Sequence, residues 1–193
     1  NKFGDKYINF QTSLRLRRQI GFREEISVLL HNIASYVLQP DTAYAFLNGR
    51  LPSALDFRHL SYGVAYQKNT TDDAFSPTLG FIVDAQFTAG RKVYLEDPSI
   101  LRGDEAGRLQ SQYDSLNRSG LQANAHLKGG AYWLLGKRQV IHLRGHLFTI
   151  YSKGKVLQNE LVRIGGIRNL RGFNDNNFAS DGYLLGTLEY RFL

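Results

Sequence analysis

Alternation of apolar and polar residues sustained for about a dozen positions, connections that swing between short and long, and aromatic rings near the ends of the alternating runs predict an all-β chain. The expected architecture is an antiparallel up-and-down sheet of the transmembrane-barrel kind. Soluble strands average about five or six residues, so runs this long are unusual for a soluble sandwich.

Seven strands are read in order. Tyr7 to Arg17 sets Ile8, Phe10, Leu14 and Leu16 against Asn9, Gln11, Ser13, Arg15 and Arg17. Glu25 to Val37 alternates less tidily, and His59 to Lys68 puts Leu60, Tyr62, Val64 and Tyr66 on its apolar side. Thr78 to Gly90 is clearer, with Leu79, Phe81, Val83, Ala85, Phe87 and Ala89 opposing Asp84, Gln86 and Thr88. Gly120 to Leu135 sets Leu121, Ala123, Ala125, Leu127, Ala131, Trp133 and Leu135 against Gln122, Asn124, His126, Lys128 and Tyr132. Arg138 to Tyr151 opposes Ile141, Leu143, Leu147 and Tyr151 to His142, Arg144 and His146. Tyr183 to Phe192 opposes Leu184, Leu188, Tyr190 and Phe192 to Thr187, Glu189 and Arg191. Polar residues on one face cost little if that face meets water, whereas in a packed sandwich core each would cost several kcal/mol unless paired.

Short links fall around Gln19 to Phe22, Asn69 to Ser76 and Gly136 to Gln139; long ones run from about Leu38 to Ala54, Arg91 to Asn117 and Ser152 to Gly182. Short and long connections therefore belong to opposite rims, the asymmetry of transmembrane barrels. Tyr7, Tyr36, Tyr132, Trp133, Tyr151, Tyr183 and Tyr190 lie near strand ends, where amphipathic rings are stable at a membrane interface.

Composition narrows the chemistry. The 193 residues carry a net charge of +7 and no cysteine, which removes disulfide scaffolds, Cys-ligated zinc and thiol catalysis. The basic balance permits contact with anionic membranes or nucleic acid and selects neither. No stretch approaches the roughly 18 to 20 apolar residues of a membrane helix. The chain has no Met and starts at Asn1, so a processed or truncated piece is expected. No nucleophile elbow, phosphate loop or His-Glu helix motif occurs. His142 and His146 lie four apart on one strand, roughly 13 Å from each other, too far to share a metal. Asp72, Asp73, Asp104 and Glu105 read as solvated loop charges, and a cation at Gly103 to Asn117 has only a nonspecific signal behind it. No enzyme activity, metal or cofactor is expected.

One connection differs from the rest. Asn159 to Phe173 carries Leu161, Ile164, Ile167, Leu170 and Phe173, with paired glycines at Gly165 and Gly166 and few Ser or Pro residues. Such a loop should fold back against something, and the polar side of the sheet is the obvious place.

Leu170-Arg171-Gly172-Phe173, preceded by Glu160-Leu161-Val162-Arg163-Ile164-Gly165-Gly166 and followed by Leu188-Glu189-Tyr190-Arg191-Phe192, resembles the signature of the Omp-eighty-five superfamily. These are the BamA/TamA-type outer-membrane assembly and translocation barrels, of the bacterial surface antigen type. The likeness is sharp over about Asn159 to Leu193 and only architectural before that. It implies that residues 1–193 are part of one sixteen-stranded outer-membrane barrel domain of a Gram-negative bacterium, spanning its sixth to twelfth strands. The motif loop would be residues 152–182, the sixth external loop. POTRA modules, the remaining strands and the seam between first and last strands would lie outside this sequence.

The resemblance further implies that Arg171 reaches the lumen and pairs with Glu189, a charge-assisted bond of about 1.5 to 3 kcal/mol away from bulk water. Gly172 would let the chain turn, and Phe173 would pack on the lumen wall. The implied function is insertion or translocation of polypeptides through an opening seam. Implied partners are outer-membrane lipid, unfolded outer-membrane client proteins and periplasmic lipoprotein accessory subunits, with no nucleic acid. The alternatives are a passive pore, or the membrane anchor of an exported lipase-like protein.

Overall fold

A computed structural model describes residues 6–102, 104, 107–118, 120–166, 170 and 172–193. Seven long strands form one antiparallel sheet joined up and down: β1 Tyr7–Gly21, β2 Glu24–Val37, β3 Phe57–Asn69, β4 Gly80–Tyr94, β5 Leu121–Leu135, β6 Gln139–Ser152 and, after two short strands, β9 Gly182–Phe192. Their order in the sheet follows the chain, with β1 and β9 at its edges. Several strands outrun the sequence reading because alternation fades toward their ends, where ladder hydrogen bonds continue regardless of side chain. Ile20 and Phe22, for example, extend the apolar row of β1 into its turn.

Register places like with like. Leu127 lies opposite Leu147 and Leu147 opposite Leu184; Leu143 lies opposite Leu188. Leu184 and Leu188 are 74% and 73% exposed. On the other face, Tyr132, His142 and Glu189 form one row, and Lys128 faces His146. Because side chains alternate with period two, a slip of one residue would exchange the faces. Side chains from β1 to β6, among them Gln11, His31, His59, Gln86, Asn124 and Phe148, line one cavity of about 390 Å³, so the sheet curves around its polar face.

The aromatic residues divide between the faces. Trp133, Tyr151 and Tyr190 are on the apolar side with Tyr36, whose ring meets Phe10 edge-on at 6.1 Å. Tyr132 and Tyr183 instead face the polar side, against His142 and His146. Proximity to a strand end did not distinguish them, whereas parity does.

The long connections hold structure that the sequence reading left out. They contain α1 Thr42–Asn48, α2 Pro98–Leu101, α3 Arg108–Arg118, a 3-10 turn Gln158–Glu160 and the ribbon β7 Val162–Ile164 with β8 Phe178–Ser180. None of the described helices is long and apolar enough to cross a membrane. They pack over one end of the sheet. Ala45, Leu51, Leu55, Ile100, Leu109, Tyr113 and Leu157 form a dry cluster with Phe57 and Tyr94 of the sheet, and Ile33 packs against it. Ile33 on the polar side of β2 accounts for part of that strand's untidy alternation.

Aspartates read as solvated charges are structural here. Asp104 accepts bonds from the backbone N–H groups of Arg108, Leu109 and Gln110 at 2.9, 2.6 and 3.0 Å, capping α3. Glu105 lies outside the described residues. At the opposite rim, Asp73 accepts from the Phe75 and Ser76 amides, and Asp72 from the Thr78 hydroxyl and the Thr78 and Leu79 amides. The Thr78 hydroxyl and these amides hold Asp72 well below the usual carboxylate range, and Ser76 and Phe75 lower Asp73. A depressed folded pKa gives stability that is present above the unfolded value of about 3.9 and lost as pH falls through the folded one. Asp72→Asn should therefore speed hydrogen exchange at the Thr78 and Leu79 amides at neutral pH. The gap from wild type should close progressively in acid well below pH 4.

Candidate functional site: the anchored loop over the polar face

The segment between β6 and β9 is held to the sheet by a buried ion pair. Lys92, on the polar parity of β4 near the capped rim, directs its ammonium to Glu160 Oε2 at 2.7 Å, with the two side chains 0% and 4% exposed. It also donates to the Lys155 carbonyl at 3.1 Å. The Tyr94 ring lies 4.8 Å from the ammonium, and the Tyr94 hydroxyl donates to the same carbonyl at 2.8 Å. Glu160 Oε2 accepts in addition from the Leu157 amide at 2.8 Å, closing the 3-10 turn. The neighbouring Asn159 amide donates to Ser35 Oγ at 2.7 Å and to the Leu55 carbonyl at 3.0 Å. Strands β2 and β4, with Leu55 of the connection before β3, thus grip the loop between Lys155 and Glu160.

Below this anchor the chain forms the β7–β8 ribbon and the motif tip. Gly165 and Gly166 carry φ of +136° and +89°, and a Cβ on either would fall onto Asn174 or Asp175. Both glycines are therefore required, by backbone conformation and by space. Leu170 donates its amide to the Gly166 carbonyl at 3.0 Å, and Gly166 donates to the Phe173 carbonyl at 3.2 Å, closing the tip. Gly172 has φ of +90° in open space, so its requirement is conformational alone.

The motif residues come out differently. Arg171, and with it the proposed Arg171–Glu189 bond, lies outside the described residues. Phe173, expected on the lumen wall, is 49% exposed and meets Phe178 edge-on with centroids 5.1 Å apart, a contact within the loop's own ribbon. Glu189 faces the polar side as its parity required. Its Oε2 accepts from Arg191 at 2.9 Å and lies 3.5 Å from His142 Nδ1. Tyr132 stacks flat on His142 at 4.1 Å, and the Arg191 guanidinium lies 5.8 Å from the Tyr132 ring. Sequence reasoning isolated Glu189 but not this Tyr132–His142–Glu189–Arg191 set, which register alone assembles. It also missed Lys92, though carrying the polar parity of β4 two residues past Gly90 would have reached it.

The cavity between loop and sheet is lined by Asn159 and Glu160 from above and by strand side chains such as His59 and Asn124 from below. A second cavity, of about 300 Å³, lies against Tyr132, His142, Arg144 and His146. Among the described residues no group of three or more His, Cys, Asp or Glu side chains gathers to hold a metal. The arrangement supplies a wet, mostly basic wall and a loop fastened to it. Comparison with protein-family models and with curated proteins finds no match for this chain.

Removing one partner from a buried pair leaves the other charged and unpaired, typically a loss of about 3 to 5 kcal/mol, whereas replacing both by apolar groups is often neutral. Lys92→Met and Glu160→Gln should each make the 153–181 segment sensitive to limited proteolysis and lower the denaturant midpoint. The double variant Lys92→Met with Glu160→Leu should regain most of both. Gly166→Ala should loosen the motif tip, read as faster cleavage within residues 165–175, while the seven-stranded sheet keeps its circular dichroism.

Proposed function

We propose that this chain is a section of a transmembrane β-barrel of the outer membrane, of the Omp-eighty-five assembly and translocation type. The observation that carries the reading is the pairing of two faces across seven strands: exposed residues such as Leu127, Leu143, Leu184 and Leu188 on one side, and Lys128, His146 and Glu189 on the other. An apolar surface of that extent is unstable in water and at home in hydrocarbon. Short turns at one rim and long connections at the other support the same topology, as does the motif loop anchored by Lys92 and Glu160.

In this reading the loop braces the barrel from within. Its anchor ties β2 and β4 across the intervening β3, so the wall keeps its curvature while another part of the cylinder opens. Backbone groups exposed at an opened seam would pair with a client strand by β-augmentation. Outer-membrane lipid, unfolded barrel clients and periplasmic lipoproteins are the proposed partners. The chain's own residues perform bracing and templating, with no bond-making step.

No cysteine occurs in these 193 residues, so cysteines introduced here report topology once any elsewhere in the full-length protein have been replaced. Single cysteines at Leu127, Leu143 and Leu188 in the full-length protein should react only with a membrane-permeant maleimide or be shielded by lipid. Cysteines at Asn124 and Thr187 should react with a water-soluble reagent from the lumen. Equal aqueous labelling of both sets would remove the membrane reading.

Function is separated by a second measurement. Arg171→Ala and Glu189→Gln should each slow insertion of a barrel client into proteoliposomes by tenfold or more while the host barrel remains folded. A steady large single-channel conductance, unaltered by Arg171→Ala and without client insertion, would identify a passive pore instead.

A further inference from the structure

We propose that His126, His146 and Tyr183 form a binding site for a divalent transition-metal ion on the polar face of the sheet. The site does not depend on the assembly reading above. His126 is on β5, His146 on β6 and Tyr183 on β9, and the three meet because their strands are consecutive neighbours. Register puts His126 and Tyr183 on either side of Phe148, while His146 lies one inward-facing position further along β6.

The donor atoms converge. His126 Nε2 and His146 Nε2 are 2.6 Å apart, and the Tyr183 hydroxyl is 3.1 Å from His146 Nε2. The imidazole rings stand at 65° with centroids 4.7 Å apart, so each directs its Nε2 toward the same point. In the metal-free pair one ring must supply the N–H and the other the lone pair. A metal ion would replace that proton and use both lone pairs. Metal–nitrogen bonds of about 2.0 to 2.1 Å at a tetrahedral angle require nitrogens roughly 3.3 Å apart, so the rings need to separate by less than about 1 Å. The phenol oxygen supplies a third donor, and water from the adjoining cavity the fourth. That cavity reaches His146 past Gly129 and Gly145, which leave the approach uncluttered.

The donor set selects the ion. Two imidazoles and one oxygen suit copper, nickel and zinc and are a poor match for magnesium or calcium. Lys128 faces His146 in register and Arg144 lies two residues away, so cationic repulsion weakens every divalent ion alike, and Cu²⁺, with the highest intrinsic affinity for such donors, is the ion best able to bind against it. Asp84, opposite Lys128 on β4, offsets one of those charges. Spacing along one strand hides the site: His142 and His146 cannot share an ion, whereas His126 and His146 are 20 residues apart and touch.

The test is titration of untagged, metal-stripped full-length protein in detergent micelles with Cu²⁺, followed by electron paramagnetic resonance. One ion per chain with superhyperfine coupling to two imidazole nitrogens is expected. His126→Ala and His146→Gln should each weaken binding at least about tenfold and remove the two-nitrogen pattern. Tyr183→Phe should weaken it less and keep that pattern. His31→Ala should bind as wild type does. Circular dichroism identifies variants that remain folded, and His146→Gln keeps a hydrogen-bonding group where alanine does not. No stoichiometric binding by the wild type, or undiminished binding by a folded His126→Ala/His146→Gln double variant, overturns the site.

Discussion

Everything in this molecule depends on a period of two being kept in register across seven strands. Each strand has a face that tolerates water and one that does not, and each pairs with neighbours whose faces agree. A one-residue slip anywhere would carry Leu127 or Leu184 to the side of His146 and Glu189. The penalty for such a slip rises with strand length, so strands of 11 to 15 residues specify their register strongly. The polar face is consequently a reliable platform. Residues far apart in sequence but equal in parity arrive on the same wall at predictable rows.

That wall carries its packing at one end. A soluble domain buries its apolar side chains between layers, but here the sheet's larger apolar face stays uncovered and the dry core sits in the cap formed by the long connections. The cap is amphipathic in the ordinary way. Leu109, Tyr113 and Leu116 repeat at helical spacing on α3, while Asn117 bonds the β4 backbone through both ends of its amide and Gln112 fastens the helix to Leu51 and Gly49. The result is a cap packed over one end of the sheet, with the polar face hollow beyond it.

The loop between β6 and β9 joins the two regions. Its first limb enters through the cap, where Leu157 is fully buried, and is then captured by Lys92. An ammonium and a carboxylate without water cost several kcal/mol each to desolvate, and the cost is met only by close geometry and further hydrogen bonds. Here the Lys155 carbonyl, the Leu157 amide and the Tyr94 ring provide them. Such a pair is weak evidence for added stability, but it ties the loop to one point on β4.

From the amino-acid order alone came the seven strands, their faces, the rims to which short and long connections belong, the singling out of Gly165 and Gly166, and the polar-face orientation of Glu189. All of these are consequences of local periodicity or of the backbone freedom of one residue, which a linear reading can follow. The helices of the cap escaped it because Leu51, Leu55, Ile100 and Leu157 belong to no common period and acquire meaning only by meeting. The capping role of Asp104 escaped for a related reason: its oxygens serve amides whose availability depends on a helix that had not been foreseen. Lys92 with Glu160, Tyr132 with His142 and Arg191, and His126 with His146 were decided by the tertiary structure. Parity states which face a side chain takes, but only strand pairing and the fold of the returning loop state which side chain stands beside it.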